Sequence, residues 1–187
     1  QDTVILPGTM LQGKTKVGKN CTLGPDTQLT DVICGDGNHL NRVYAHSCEL
    51  GDNNEIGPFV HLRPETCLHN DIKIGNFVEV KNSDVDDGTK LPHLIYCGDS
   101  DLGKNVNFGC GTVTVNFDGK NKHRCTIDEH AFIGCNTNLV APVHVGAKAF
   151  TAAGSTITKD VPAKALAVGR AKQVNIENWV KEDTYKD

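Results

Sequence analysis

Two basic residues, Arg63 and Lys81, are the first side chains of this sequence whose types and spacing suggest chemistry. They lie 18 residues apart, in a region where aliphatic residues recur every six positions, so three repeats separate them. If three repeats make one turn of the chain, the two cations stack one turn apart. An arginine offers a planar fork of donors and a lysine a point charge, a combination that favours an anion. The alternative is a pair of solvated surface charges, which are common.

The elements that would position these cations follow from the six-residue period. Six residues rotate a helical side chain by about 600°, so an α-helix would scatter the repeat positions around its axis. Hexapeptide repeats are instead typical of β-solenoids and predict an all-β fold. The step is clearest at Ile5, Leu11, Val17, Leu23 and Leu29, at Leu50, Ile56, Leu62, Leu68, Ile74 and Val80, and at Ile127, Ile133, Leu139, Val145, Thr151 and Ile157.

In several hexads a small residue follows the first inward residue by four positions. In a strand the first and fifth positions face the same side, so the pairs Leu11/Thr15, Leu23/Thr27 and Thr151/Ser155 are expected to point inward. Bulky residues would fill the centres of the walls, and small residues the corners. A flat sheet is the alternative, but Asp-Gly hairpin signals appear in only three places, which disfavours it.

Composition is that of a single domain with a thin core. The chain has 187 residues, of which 38% are hydrophobic and only 5% aromatic, as narrow stacked coils require. A formal net charge of −4 without a basic run argues against nucleic acid or an anionic membrane as a partner. There is neither an apolar segment long enough to span a bilayer nor a signal peptide, so a cytoplasmic location is expected.

Eight cysteines and eight histidines raise the question of disulfides or metals. None of the cysteines forms a C-x-x-C pair, so free thiols are expected, with Cys21 in an inward corner position. Three histidines could in principle bind zinc between subunits, but no H-x-H or H-x-x-x-H spacing supports this. The sequence therefore predicts no metal site.

The longest break in the period covers residues 116–124, from Asn116 to Arg124. This segment is polar, basic and rich in turn-forming residues, so it must leave the coil as a loop. Loops on a rigid scaffold are where functional sites are usually built.

Several ordered motifs outside the bare repeat carry a family resemblance. They are Ile56-Gly-Pro-Phe-Val-His-Leu-Arg-Pro64, Ile74-Gly-Asn-Phe-Val-Glu-Val-Lys-Asn82, His93-Leu-Ile-Tyr96-Cys-Gly-Asp99, Val106-Asn-Phe-Gly109, Asn116-Phe-Asp-Gly-Lys-Asn-Lys122, Phe132-Ile-Gly134, Leu139-Val-Ala-Pro-Val143, Ala152-Ala-Gly-Ser-Thr156, Thr158-Lys-Asp-Val-Pro162 and Ala167-Val-Gly-Arg170. Together they cover nearly the whole chain, and their order is specific. The sequence resembles the acetyltransferase domain of the bifunctional GlmU enzymes.

This resemblance implies the handedness and the assembly, which the spacing alone does not give. The expected fold is a left-handed parallel β-helix with three short strands per turn, about nine coils from Ile5 to Pro162, and a protruding loop. The family forms homotrimers with sites in the clefts between subunits. Residues 1–170 would form the acetyltransferase domain and residues 171–187 a tail, in which Asn175 to Asp183 are a candidate short helix around Trp179.

The resemblance also implies the reaction, transfer of an acetyl group from acetyl-coenzyme A (acetyl-CoA) to the 2-amino group of glucosamine 1-phosphate. His93 matches the family's catalytic base, since a neutral imidazole can take the proton of an attacking amine. Glu79 is a candidate for orienting His93. The positions implied for the sugar phosphate are Arg63, Lys81, Tyr96 and Asn107.

For acetyl-CoA the implied positions are Cys110, Asn116, Phe117, Cys135, Ala153 and Arg170. Small residues here would let a pantetheine arm approach the backbone closely. Several of them depart from the family pattern: Phe117 replaces a tyrosine, Cys135 a serine and Cys110 an alanine, and Pro92 replaces a small residue. Each lost hydroxyl should weaken binding by about 0.5 to 1.5 kcal/mol. Pro92 restricts the backbone next to His93.

The chain begins at Gln1 within the repeat and shows no resemblance to a uridyltransferase, so it is interpreted as a C-terminal fragment without the magnesium site of that half. Two alternatives remain open. One is a hexapeptide acyltransferase that acts on a different amine or hydroxyl, and the other is a metal-dependent or purely structural solenoid.

Overall fold

The computed structural model describes residues 1–180, and 27 short strands make up its regular structure. The strands form three parallel sheets, which are the three walls of the molecule, numbered in the order in which the chain reaches them. Since the chain crosses the walls in turn, nearly every strand pairs with the strand three later. The result is a parallel β-solenoid of about nine turns, which confirms the predicted architecture and is consistent with left-handed winding.

The first wall contains ten strands: Val4–Ile5, Thr22–Leu23, His39–Leu40, Glu55–Ile56, Lys73–Ile74, Lys90–Leu91, Asn107–Phe108, Phe132–Ile133, Phe150–Thr151 and Leu166–Ala167. The second contains nine: Met10–Gln12, Gln28–Thr30, Val43–His46, Val60–Leu62, Val78–Lys81, Ile95–Gly98, Val113–Val115, Asn138–Val140 and Thr156–Ile157. The third contains eight: Lys16–Val17, Ile33–Cys34, Cys48–Leu50, Thr66–Leu68, Asp84–Val85, Ser100–Leu102, Cys125–Ile127 and Val143–Val145.

The core is the stack of hexad residues inside the walls. From Leu23 to Ile157 the aliphatic repeat positions are almost all buried, as the period predicts. Ile5 and Leu11 differ, with exposed fractions of 54% and 41%, because the first coil stacks on a neighbouring coil on one side only. Apolar burial is therefore complete only where a coil lies between two others.

The corners contain the small residues that are predicted four positions after the first inward residue of a hexad. Thr27 and Ser155 are buried, and their hydroxyls bond to the backbone, as when Ser155 Oγ accepts from Gly169 N at 3.1 Å. Asn54 continues this pattern, since its Oδ1 accepts from Ile72 N at 2.8 Å. Within residues 1–180 no buried side-chain nitrogen or oxygen lacks a hydrogen-bond partner.

Coil length varies more than the hexad period suggests. Val60 pairs with Val78 after 18 residues, Val78 pairs with Ile95 after 17, and Val113 pairs with Asn138 after 25. The long coil contains the predicted loop, which leaves the corner after Val115 and rejoins the third wall at Cys125. This loop lies at the corner where the second wall ends.

Residues 171–180 follow the last strand and are exposed. Asn175 to Val180 form a turn and irregular backbone rather than the predicted helix, and the rest of that prediction, 181–183, lies outside the described residues. A short helix without a packing surface is marginal in water, which explains the difference. Within residues 1–180 no helix has the length and apolarity needed to cross a bilayer.

Candidate active site

His93 lies at the corner between the first and second walls, between the strands Lys90–Leu91 and Ile95–Gly98. Its side chain is exposed, and no hydrogen bond or ion pair joins it to another residue within 1–180. The register Tyr96↔Val113 places Cys110 on the next coil at the position of His93. An unpaired, solvent-accessible imidazole is available for proton transfer.

The column that contains His93 continues through predicted cofactor positions on successive coils. Val113 pairs with Asn138, and Asn138 with Thr156, so Cys135 and Ala153 follow Cys110 at the same corner. Backbone bonds confirm the stacking, since Asn136 N donates to the Cys110 carbonyl at 2.7 Å and Gly154 N to the Cys135 carbonyl at 2.8 Å. Residues 93, 110, 135 and 153 therefore form one line, the corner column.

Glycines beside the corner column bring successive coils into close contact. A Cβ atom at Gly109 would lie 2.5 Å from the nitrogen of Cys135, and one at Gly134 would lie 2.7 Å from the nitrogen of Ala153. Any larger residue would force the coils apart. The corner is consequently a shallow track of small side chains along the solenoid.

Pro92 occupies the position on its coil that Gly75 and Gly109 occupy on the neighbouring coils. Gly75 N donates to the Leu91 carbonyl at 3.0 Å and Gly109 N to the Ile133 carbonyl at 2.7 Å, but proline has no N–H to donate. Only one residue pair, Lys90↔Asn107, is registered between this first-wall strand and the next. The coil that carries His93 is thus held less tightly to the next coil on the first wall.

Arg63 and Lys81 lie at the far end of the second wall, where it meets the third. The register Leu62↔Val80 makes them neighbours on adjacent coils, which confirms the stacking inferred from their spacing. Arg63 Nη1 donates to Glu79 Oε1 at 2.9 Å. Glu79 is thereby occupied by Arg63, and within residues 1–180 it makes no hydrogen bond to His93, contrary to the expectation for this residue. The physical reason is the register, which places Glu79 between His61 and Tyr96 in the second wall.

A third cation, Lys122, reaches this position from the loop. The ammonium of Lys122 lowers the pKa of Lys81, with burial and the charge of Arg63 acting in the same direction and Asp99 opposing them. Glu79 pairs with Arg63 and Asp99 offsets the repulsion at Lys81 only in part, so the cluster of Arg63, Lys81 and Lys122 is a candidate anion-binding site. Lys122 has no assigned role from sequence, although it ends the motif Asn116 to Lys122.

Asp99 holds the base of the loop from inside the corner. This carboxylate is 3% exposed; Oδ1 accepts from Asn82 Nδ2 at 2.5 Å, and Oδ2 accepts from Asn116 Nδ2. The Asn116 amide also lies 3.4 Å from the Tyr96 hydroxyl. The side chain of Asn116 is therefore committed to positioning the loop, and its contact with a cofactor stays a prediction. No spacing in the sequence identifies this buried network.

The loop itself is a small hairpin. Phe117 and Lys122 pair as an antiparallel bridge, and the Asp118 carboxylate accepts hydrogen bonds across the turn from Lys120 N, Asn121 N and His123 Nε2. The Asn121 N–H is the largest of the causes that lower the pKa of Asp118 to about 2. At the return point, Arg124 bonds Asp101 and the carbonyls of Asn82 and Ser100. Phe117 is left 56% exposed at the loop base.

The remaining predicted residues divide between two places. Tyr96 is half-buried in the second wall, between the corner column and the cations. Arg170 is exposed, and its Cδ lies 3.9 Å from where a Cβ of Gly154 would be, next to the end of the corner column. Asn107 faces outward from the first wall, so one chain does not bring it together with Tyr96 and the cations.

The fold and the track of small residues define the class of protein, a hexapeptide-repeat β-solenoid. The sequence is 53% identical over 180 residues to the bifunctional protein GlmU of Geobacillus sp. (strain WCH70) and 55% identical over 182 residues to that of Caldanaerobacter subterraneus subsp. tengcongensis. The GlmU of Listeria welshimeri is 51% identical over 181 residues. These alignments cover 96–97% of this chain, which confirms the resemblance inferred from the motifs.

The chain spans about two fifths of the length of these relatives, 39–40%. Among solved structures, an Arabidopsis UDP-N-acetylglucosamine acyltransferase matches with a TM-score of 0.58 and 16% identity, over 90% of this chain and 70% of that one. At this identity the match supports the fold alone. None of the protein-family models matches the chain.

Proposed function

We propose that this chain transfers an acetyl group from acetyl-CoA to the 2-amino group of glucosamine 1-phosphate, as one step of UDP-N-acetylglucosamine synthesis. The observation that carries the proposal is the arrangement on the second wall. An exposed imidazole with a track of small residues lies at one edge, and a cluster of three cations lies at the other. Similarity to GlmU over nearly the whole chain supports this assignment.

His93 acts in the proposed mechanism as the general base. An amine with a pKa of roughly 8 is largely protonated at neutral pH, so it must lose a proton to become nucleophilic. Once that proton has passed to solvent, the neutral amine attacks the thioester carbonyl, and the neutral imidazole accepts the second proton that the nitrogen loses as the bond forms. The new C–N bond forms, the C–S bond breaks, and the coenzyme leaves as a thiol after taking a proton from the imidazolium.

Acetyl-CoA is proposed to lie along the corner column. Its pantetheine arm is long and thin, and it requires close approach to the backbone rather than a deep pocket. Cys110, Cys135 and Ala153 provide this surface because the glycines behind them leave no bulk at the corner. Asn116, Phe117 and Arg170 are proposed to contact the rest of the cofactor, and Arg170 lies at the column's end.

The sugar phosphate is proposed to lie on the second wall, with its phosphate held by the cations. Arg63 and Lys81 provide charge from adjacent coils, and Lys122 adds a third charge from the loop. Tyr96 lies between these cations and His93, where its hydroxyl can reach the sugar. Asn107 is proposed to contact the sugar from a neighbouring subunit, because within one chain it faces away from the second wall.

A homotrimer in the cytoplasm is proposed as the working form. A contact surface is available at the corner beside the second wall, where Phe59, Phe77 and Leu94 project from successive coils and are 54–56% exposed. The Phe59 and Phe77 rings stack with centroids 5.5 Å apart, and a groove of about 780 Å³ lies next to them. Exposed apolar stripes of this kind mark interaction surfaces.

The test is thiol release from acetyl-CoA by the 187-residue chain, measured with glucosamine 1-phosphate and with unphosphorylated glucosamine. The proposal predicts turnover that depends on the phosphate. In Lys81→Ala the KM for glucosamine 1-phosphate should rise, whereas any turnover of glucosamine should be unaffected. Equal turnover of both acceptors, or turnover of alcohols, would favour the alternative of a hexapeptide acyltransferase with another acceptor.

A further inference from the structure

The third wall has a cluster of potential metal ligands that the proposed reaction does not use. Its members are Cys67, His69 and Asp84, whose ligand atoms all lie within 4.8 Å of one another. Cys67 and Asp84 face each other on adjacent strands, and His69 is two residues beyond Cys67, on the same side of the chain. His69 Nε2 and Asp84 Oδ1 are already 2.9 Å apart.

The donor types indicate which ion this cluster would bind. A thiolate is a soft ligand and an imidazole suits zinc, whereas magnesium and calcium prefer oxygen ligands only. Three protein ligands leave a fourth, open position for water. Ligand atoms 4.8 Å apart or closer need only small side-chain rotations to meet around an ion with bonds of about 2.0–2.3 Å.

The electrostatic surroundings favour a dication. Glu49 registers with Cys67 and adds a negative charge beside the cluster. The nearby cations are already engaged, since Lys104 pairs with Asp87 at 3.0 Å and Arg124 pairs with Asp101. A second possible ligand set, His69, Asp86 and Asp87, is weaker because Lys104 and Asn70 occupy the Asp87 carboxylate.

We propose that Cys67, His69 and Asp84 bind a zinc-like divalent transition-metal ion that links two successive coils of the third wall. The C-x-x-C, H-x-H and H-x-x-x-H spacings are absent, which is why the sequence alone predicts no metal. The spacing here is Cys-x-His on one strand edge plus an aspartate one coil later, which becomes recognisable only when the 17-residue register is known. Because the cluster is on a different wall from His93, its test is independent of the acetyl-transfer assay.

The experiment is a cobalt titration of the chelator-treated 187-residue chain, followed by absorption spectroscopy. A cobalt–thiolate site gives a near-ultraviolet charge-transfer band, which we expect to saturate at one ion per chain and to disappear when zinc is added. Cys67→Ser should abolish the band. His69→Ala and Asp84→Asn should each weaken cobalt binding by at least about tenfold, the lower limit seen even for outer-shell partners.

His144→Ala is the matched control. His144 lies on the same wall and pairs with Asp128 at 2.8 Å, much as His69 pairs with Asp84, but the register places no cysteine beside it. The control should leave cobalt binding unchanged, and thermal unfolding without metal shows whether each variant folds. The absence of a charge-transfer band in the unmodified chain, its persistence in Cys67→Ser, or equal losses in His69→Ala and His144→Ala would overturn the proposal.

Discussion

Lys81 and Lys122 show how single residues define the proposed anion site. Their proximity lowers the pKa of Lys81, so it loses its proton at a lower pH than an ordinary lysine does. Binding of an anion would offset the repulsion between the ammonium groups of these two lysines. An isolated surface lysine has no neighbouring cation to lower its pKa. This difference distinguishes the cluster from separate solvated charges.

A pH prediction follows from this pair. Affinity for glucosamine 1-phosphate should fall as pH rises through the lowered pKa of Lys81, because the deprotonated lysine no longer attracts the phosphate. Lys122→Gln removes the adjacent charge and raises that pKa, so the alkaline loss of affinity should move to higher pH. At neutral pH the variant should bind about two- to fivefold more weakly, the range for an exposed ion pair.

Calorimetric binding across the alkaline range checks this shift. Lys120→Gln is the control, since Lys120 lies in the same loop but is not among the main influences on the pKa of Lys81. An alkaline limb that stays in place in Lys122→Gln, or moves equally in both variants, would contradict the assignment.

At this scale the sequence predicts pairs that depend on spacing and misses those that depend on hydrogen bonds. The stacking of Arg63 on Lys81 follows from counting three hexads. The buried contact of Asp99 with Asn116 does not, because it joins two coils through side-chain geometry at a corner. Glu79 illustrates the same limit, since its partner is Arg63 rather than His93.

Among the elements, the corner column determines what the solenoid can bind. The six-residue period predicts that walls and corners exist, but coils of 17, 18 and 25 residues shift the phase from coil to coil. Counting hexads therefore does not align His93 with Cys110 and Cys135. The structure aligns them through backbone pairing, which places two thiols along the proposed path of the cofactor.

This alignment predicts a pattern of thiol protection. Cys135 is exposed and Cys110 and Cys67 are partly exposed, whereas burial raises the pKa values of Cys34 and Cys125 to about 12 and keeps them unreactive. Acetyl-CoA at ten times its Kd should slow alkylation of Cys110 and Cys135 by about tenfold, because only the unbound fraction reacts.

Mass spectrometry after timed alkylation measures each thiol separately. Cys67, on the third wall, is the internal control and should alkylate at the same rate with and without acetyl-CoA. Unprotected Cys110 and Cys135, or equal protection of all three thiols, would show that the cofactor does not lie along this corner.

At the scale of the whole molecule, packing within one chain does not explain why Phe59, Phe77 and Leu94 form an exposed apolar stripe. Phe77 has a φ of +59°, a left-handed conformation that asparagine adopts more readily than phenylalanine does. Phe77→Asn should therefore leave folding intact, while weakening the proposed trimer. Sedimentation velocity should show a shift from trimer toward monomer.

Ile33→Thr provides the comparison, because Ile33 is 51% exposed but lies on the third wall, away from both the stripe and the first-wall face that carries Asn107. It should leave the sedimentation of the trimer unchanged. A Phe77→Asn chain that sediments as the unmodified chain does would exclude this stripe from the subunit contact.

The central claim is that His93 takes the proton of the attacking amine on the second wall. Steady-state acetyl transfer to glucosamine 1-phosphate, compared between the unmodified chain, His93→Ala and His144→Ala, tests it most directly. We expect His93→Ala to lower kcat by about 10²- to 10⁴-fold with little change in KM, and His144→Ala to match the unmodified chain. A His93→Ala chain that retains its kcat would contradict the claim.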